Sequence, residues 1–192
     1  MRRILVFLVI IVLVFAFAGC GAPDTAGSGN EQNAQPQEKK DDVRSSADII
    51  EPEQIITLEE ASGIMGMDLV MGVKTDNEVV GQKLCEYETA DPEEYTSFQV
   101  SVNQLAFMPL EQVENGITPD DIYLFTKDDF SDTLEPVSGI GDDAFIDTPG
   151  LHLLYRGYYV LIALGNSDDP VNIERLKTAG QKAVANLDAL LD

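Results

Sequence analysis

Two cysteines, one histidine and a series of paired aspartates are the residues of this 192-residue chain whose types and spacing could do chemistry. Cys20 follows an unbroken run of fourteen apolar residues, Ile4 to Phe17, and the small pair Ala18-Gly19. A thiol there is placed for modification at a processing site rather than for catalysis. Cys85 lies in Leu84-Cys85-Glu86-Tyr87-Glu88, where strand alternation puts Cys85 and Tyr87 on one face and the glutamates on the other. A buried small hydrophobe is the expected role. A nucleophilic thiol would need a base, and His152 is the one imidazole in the chain. His152 stands between Leu151 and Leu153, which predicts a satisfied, partly buried ring instead of a general base. Asp120-Asp121, Asp128-Asp129 and Asp142-Asp143, with Asp132, offer oxygen atoms to a cation or a basic partner, but no loop has EF-hand spacing.

Other chemistries find less support. Gly139-x-Gly141 has the glycines of a phosphate loop, yet a cradle needs backbone N–H groups opening a helix, and here two aspartates and a strand pattern follow. A tight turn with a capping aspartate is expected instead. No Cys/His set has zinc spacing, and no Ser/His/Asp arrangement is visible as a motif. Paired carboxylates for glycoside hydrolysis are defined by their separation, which a sequence does not contain. The chain has no tryptophan, which counts against a sugar-stacking platform despite Tyr155, Tyr158 and Tyr159.

Arg2-Arg3, the apolar run and the small residues before Cys20 compose a secretory signal. With cysteine after the cut, Phe17-Ala18-Gly19-Cys20 resembles the lipobox of bacterial lipoproteins; Phe17 stands where leucine is usual. That resemblance implies cleavage between Gly19 and Cys20, a diacylglyceryl group on the Cys20 sulfur and an acylated amino terminus. It implies no other cofactor. The apolar run is short of the about 20 residues that cross a bilayer, and no basic stop-transfer cluster follows. The expected location is the outer face of the cytoplasmic membrane, or an outer membrane where the cell has one. An acylated Cys20 also leaves Cys85 without a disulfide partner.

Residues 21–50 are rich in Gly, Ser, Asn, Gln, Pro and Lys and poor in large apolar side chains, so they are read as a tether with a reach of roughly 30 Å. Residues 51–192 are enough for one domain with its own core. They carry 28 Asp plus Glu against 7 Lys plus Arg, a net charge of −21. Such a surface repels nucleic acid and an anionic leaflet. It suits either solubility in an exposed place or a basic partner. The stretch from Glu111 to Asp147 holds eleven acids and one base, Lys127.

The elements that must position these residues follow from pattern. Thr57, with Glu60 three residues on, predicts a capping box and a helix that Gly66 stops, with Ile56 stapled on Ala61. Strand character covers Asp68–Lys74, Gln82–Thr89 and Tyr95–Leu105. In the last of these Phe98, Val100 and Val102 should face a core, and Ser97, Gln99, Ser101 and Asn103 water. Thr118-Pro119 opens a helix whose apolar stripe is expected to be Ile122, Phe125 and Phe130. Ala144–Asp147, Leu151–Tyr155 and Tyr158–Leu164 read as strands, the last two joined by an Arg156-Gly157 hairpin that pairs Leu151 with Ile162, Leu153 with Val160 and Tyr155 with Tyr158. The other hairpin face, with His152, Leu154, Tyr159, Leu161 and Ala163, is too apolar to be fully wet. Asp169-Pro170 opens a long closing helix with Ile173, Leu176, Gly180, Ala183, Leu187 and Leu191 on one side, and Arg175, Lys177 and Lys182 form the domain's basic cluster. The fold class is α+β: an antiparallel sheet with a short N-terminal helix, a middle helix and a long C-terminal helix packed on it.

Thr57-Leu58-Glu59-Glu60-Ala61, Cys85-x-Tyr87 and Gly139-Ile140-Gly141-Asp142-Asp143-Ala144-Phe145 together resemble bacterial lipoproteins of unknown function that share a small α+β domain. The resemblance spans about residues 55–190 and implies a hairpin and a closing helix after the last motif. Some relatives pair the C-x-Y cysteine with a second one, absent here. No catalytic residue carries over. The expected function is a membrane-anchored, non-catalytic and monomeric binding module for a basic envelope protein or a cation. A carboxylate-dependent envelope hydrolase around Asp142, and a structural lipoprotein without a ligand, are the alternatives.

Overall fold

The computed structural model describes residues 49–192 except Pro92 and Glu94. The readings of the signal, of Gly19 and Cys20 and of most of the tether lie outside the described residues. Two short helices come first, α1 (Pro52–Ile55) and α2 (Leu58–Met65). Three strands follow, β1 (Leu69–Asn77), β2 (Gln82–Thr89) and β3 (Ser97–Asn103). Next come α3 (Leu110–Glu114), α4 (Pro119–Asp129), β4 (Glu135–Pro136), β5 (Asp143–Asp147), β6 (Gly150–Tyr155), β7 (Tyr158–Leu164) and α5 (Pro170–Leu191). The α+β architecture expected from the sequence is the one observed. α1, α3 and β4 were not read from the sequence, because elements of two to five residues carry too little periodicity to register.

All seven strands pair antiparallel, in the order β1-β2-β3-β7-β6-β5-β4. β6 and β7 take the expected register, with Leu151 opposite Ile162, Leu153 opposite Val160 and Tyr155 opposite Tyr158. The two-residue turn between them has φ of 49° at Arg156 and 80° at Gly157, the left-handed pair that matches the twist of a hairpin. The long edge β1 is broken by a register shift between Met71 and Lys74, and the other edge, β4, is two residues ending in Pro136. Both devices oppose edge-to-edge pairing.

Alternation sorts the sheet into two unequal cores. On the front face Cys85, Tyr87, Phe98, Val100, Val102, Leu151, Leu153, Val160 and Ile162 are fully buried against Leu176, Ala179, Ala183 and Leu187 of α5 and against α1 and α2. The Thr57–Glu60 capping box forms as expected, with Gly66 left-handed at the end of α2. Side chains meet the helix-end carbonyls: Asn186 Nδ2 donates to the Ile55 carbonyl at 2.9 Å and Arg175 to that of Met65 at 2.9 Å. Ile50, assigned to the tether by composition, belongs to this core, and its backbone exchanges two hydrogen bonds of 2.8 Å with the Gln104 amide.

On the back face α4 covers β6 and β7, and the Glu78–Val80 turn covers the end of β3. Tyr123, Phe145 and Tyr159 form a second, small cluster there, with Ile122, Phe130, Leu134, Leu154 and Leu161 packed against it. Two expectations are corrected on this face. Ser101 and Asn103, expected in water, are buried; Asn103 Nδ2 donates to the Val80 carbonyl at 2.9 Å, which satisfies it where the turn Glu78–Val80 folds over β3. In α4 the inward residue is Tyr123, not Phe125, which is 73% exposed.

Candidate functional site

α4 is built by local rules. The Thr118 hydroxyl accepts from the Asp121 amide at 3.2 Å and the Asp121 carboxylate accepts from the Thr118 amide at 2.9 Å, closing a capping box, and Pro119 takes the first turn. Pro119, Ile122, Tyr123, Thr126 and Phe130 then recur at helical spacing and are turned inward or half-buried. Tyr123 packs against Phe145 and Tyr159 with ring centroids 5.6 and 5.5 Å away. Lys127, the single base of this stretch, is drawn into an ion pair with Asp143 of β5 and lies 5.9 Å from the centre of the Tyr123 ring.

Once that stripe is seated, Leu124 and Phe125 point to solvent at 56% and 73% exposure. They are neighbours on the outer face, with Asp121 one turn before them and Asp128 and Asp129 one turn after. Asp128, Asp129 and the following Asp132 are exposed, and none has an ion pair among the described residues. Two carboxylates in the last turn also oppose the helix dipole, whose negative end is there. The face therefore carries an exposed aromatic ring and an acidic rim; of these only Asp121, through the capping box, helps to hold α4.

The expected acidic surface is thus divided by the fold. Asp120, Asp121, Asp128, Asp129 and Asp132 lie on or just beyond α4. Asp142 instead accepts the Arg156 backbone N–H at 2.7 Å, capping the β6–β7 turn, and Asp143 is engaged by Lys127. The Gly139-x-Gly141 turn does have a capping aspartate after it, but that aspartate caps the neighbouring hairpin. Glu135, Asp147 and Asp168 line, with Thr133, Thr148 and Ser167, a cavity of about 430 Å³. A second cavity, about 540 Å³ and mostly apolar, lies between α2 and α5. Among the described residues no three His, Cys, Asp or Glu side chains stand together as a metal would need.

Cys85 is buried as expected, and His152 is more deeply placed than the partly buried ring expected. The His152 ring is 2% exposed, stacked on Phe145 with centroids 4.5 Å apart and planes 4° from parallel. Its Nδ1 shares a 2.7 Å hydrogen bond with the Tyr159 hydroxyl, while Nε2 has no hydrogen-bond partner. The ring is half satisfied, a correction to the sequence reading. Burial pushes its pKa down to about 4, against weaker opposition from the Thr148 carbonyl and Asp147. Cys85 Sγ lies 3.4 Å from Met71 Sδ, and burial raises the thiol's pKa, which keeps it protonated and unreactive.

The outward turn of Phe125 escaped sequence reasoning because Ile122 is compatible with two stripes, one through Phe125 and one through Tyr123. The discriminating signal is Pro119: only the stripe through 119, 122, 123, 126 and 130 joins the first-turn proline to Phe130 at helical spacing. Among the described residues no helix is long and apolar enough to cross a membrane. No protein-family model, no curated protein and no solved structure matches this chain.

Proposed function

We propose that this chain is a lipid-anchored, extracytoplasmic protein of the bacterial envelope, whose domain is a non-catalytic binding module that presents the outer face of α4 to a basic partner. The observation that carries the reading is Phe125, 73% exposed beside Leu124, with Asp128 and Asp129, neither in an ion pair among the described residues, one turn on. An aromatic anchor inside a charged rim is the anatomy of a binding hot spot. The net charge of −21 over residues 51–192 sets the sign of the partner and speeds its approach. The address rests on the Arg2-Arg3, apolar-run and Gly19-Cys20 pattern, with acyl chains on Cys20 supplying the membrane attachment.

Two measurements test it. In bacteria, Cys20→Ser abolishes palmitate labelling and membrane retention; unchanged labelling would overturn the anchor. In solution, the full chain binds a synthetic amphipathic helix of lysine and leucine with an affinity that falls as salt rises. Phe125→Ser weakens that binding about tenfold, roughly 1.4 kcal/mol, with unchanged melting temperature. Binding that is flat in salt, or indifferent to Phe125→Ser, would overturn the α4 face as the site.

A further inference from the structure

The proposed α4 face rests on a buried histidine. Tyr123 of α4 and Phe130 at its end close over a row formed by Phe145, His152 and Tyr159, and Phe130 lies 5.6 Å from the His152 ring. This small cluster and the Lys127–Asp143 pair are what attach α4 to the sheet. The front core, on the opposite face, contains no histidine, because the chain has only one.

The surroundings of His152 accept a neutral ring and give an imidazolium little help. A neutral ring satisfies Tyr159 through Nδ1, and its unpartnered Nε2 costs a single hydrogen bond. A charged ring could turn its donors toward the Tyr159 hydroxyl and the Thr148 carbonyl, but its full charge would be held away from water among the rings of Phe130, Phe145 and Tyr159. Of the charged and titratable groups around it, β5 contributes Asp147 and Asp143, both already committed. Asp147 accepts from the Thr133 hydroxyl at 2.6 Å and the Thr148 amide at 2.6 Å, and Asp143 from Lys127. From β7 comes Tyr159, from α4 Tyr123 and the cation of Lys127, and β4 brings Glu135 to the exposed outer edge of β5. The Tyr123 hydroxyl is itself buried, makes no hydrogen bond of ordinary geometry, and has the Asp143 carboxylate as its nearest polar neighbour. Lifting α4 brings water to His152, Tyr123 and Tyr159 together, without disturbing the face that α5 covers.

We infer that α4 is an acid-released element: protonation of His152 undocks it from the sheet while the front core stays folded, withdrawing the binding face proposed above. This rests on that reading only for its consequence; the undocking itself does not. The direction follows from linkage. Solvent-exposed histidine titrates near 6.5 and the buried ring near 4, so the opened state binds more protons between those values and gains population as pH falls through them. The gain levels off below about 4, at a factor of roughly 300 in the opening equilibrium.

Hydrogen exchange of the full chain at a series of pH values, with labelling times scaled to the intrinsic exchange rate, tests the inference. Peptides over 119–130 lose protection by tenfold or more between pH 6.5 and 4.5, while peptides over 98–102 and 176–187 keep theirs. His152→Phe, which preserves the stack on Phe145, and His152→Gln, which can still accept from Tyr159, each hold 119–130 protected over that range. Loss of protection in all three regions together, or the same release in both variants, would overturn it. Binding of the lysine–leucine helix at pH 7.5 separates the two readings. If that binding is absent while exchange still shows selective release, the binding face is wrong and the switch stands.

Discussion

Gly150 opens β6 with its Cα against β7, where a Cβ would stand 2.1 Å from the Ile162 carbonyl oxygen and 2.8 Å from the Ala163 Cα. Both obstacles are backbone, so neither moves without breaking the β6–β7 ladder that forms the middle of both cores. Gly150→Ala is therefore expected to destabilise the fold by about 3 kcal/mol, measured by urea denaturation. A loss below about 1 kcal/mol would mean that the strands separate more readily than their packing suggests. Asp142 and Asp143 teach a related lesson at this scale. They are adjacent in sequence and identical in type, yet one caps a turn and the other holds a lysine. Both roles depend on partners 14 and 16 residues away along the chain, Arg156 and Lys127, so neither was legible as a motif.

Among the elements, α4 carries two adjacent acids in its last turn that conflict with its own stability, and the one base there, Lys127, is taken by Asp143. Asp128 and Asp129 put negative charge at the negative end of the helix dipole, and nothing among the described residues neutralises them. Replacing both by lysine is expected to stabilise α4 by about 0.5 kcal/mol or more. The same double variant is expected to lose most of its affinity for the lysine–leucine helix. A variant that gains stability and keeps its binding would show that the acidic rim is only a solubility device. α5 also ends in acids, Asp188 and Asp192, but Arg156 of the β6–β7 turn pairs with both. Asp169 caps α5 by accepting the Val171 amide at 2.8 Å; of the expected stripe Leu176, Gly180, Ala183 and Leu187 are buried, Ile173 and Leu191 at its ends are only partly so, and Ala179 joins it. Helix starts and stops were readable because caps act over three or four residues. The choice of inward face in α4 was not, because it depends on which rings wait on β5 and β7.

For the whole molecule, charge dominates the response to solvent. A net of −21 on residues 51–192 strains the compact state through self-repulsion, which salt screens. Raising sodium chloride from about 10 to about 150 mM, across which the Debye length shortens several-fold, is thus expected to raise the melting temperature while it weakens binding of a basic partner. A melting temperature that falls with salt would place the balance in the ion pairs instead. Acid adds a second effect on the front layer. Glu60 resists ionisation through burial, but the Thr57 amide, Asn186, the Thr57 hydroxyl and Lys182 together hold its pKa below the usual glutamate range. Its contribution is present above about 4.5 and is lost as pH falls through the lowered value. The α2–α5 side should accordingly outlast α4 on acidification.

The sequence by itself determined the antiparallel hairpin with its register, the capped helix starts, the α+β class and the sign of the electrostatic field. These depend on alternation, on turn residues with positive φ, on caps and on net composition, all of which act within a few residues or over the whole chain at once. Only the tertiary structure decided that Ser101 and Asn103 are buried, that Asp142 and Asp143 belong to the scaffold, and that Phe125 faces solvent while His152 does not. Those outcomes depend on which surfaces meet. α4 turns Ile122, Tyr123 and the following Phe130 toward the rings of β5–β7, and helical geometry then leaves Phe125 on the opposite side, in solvent.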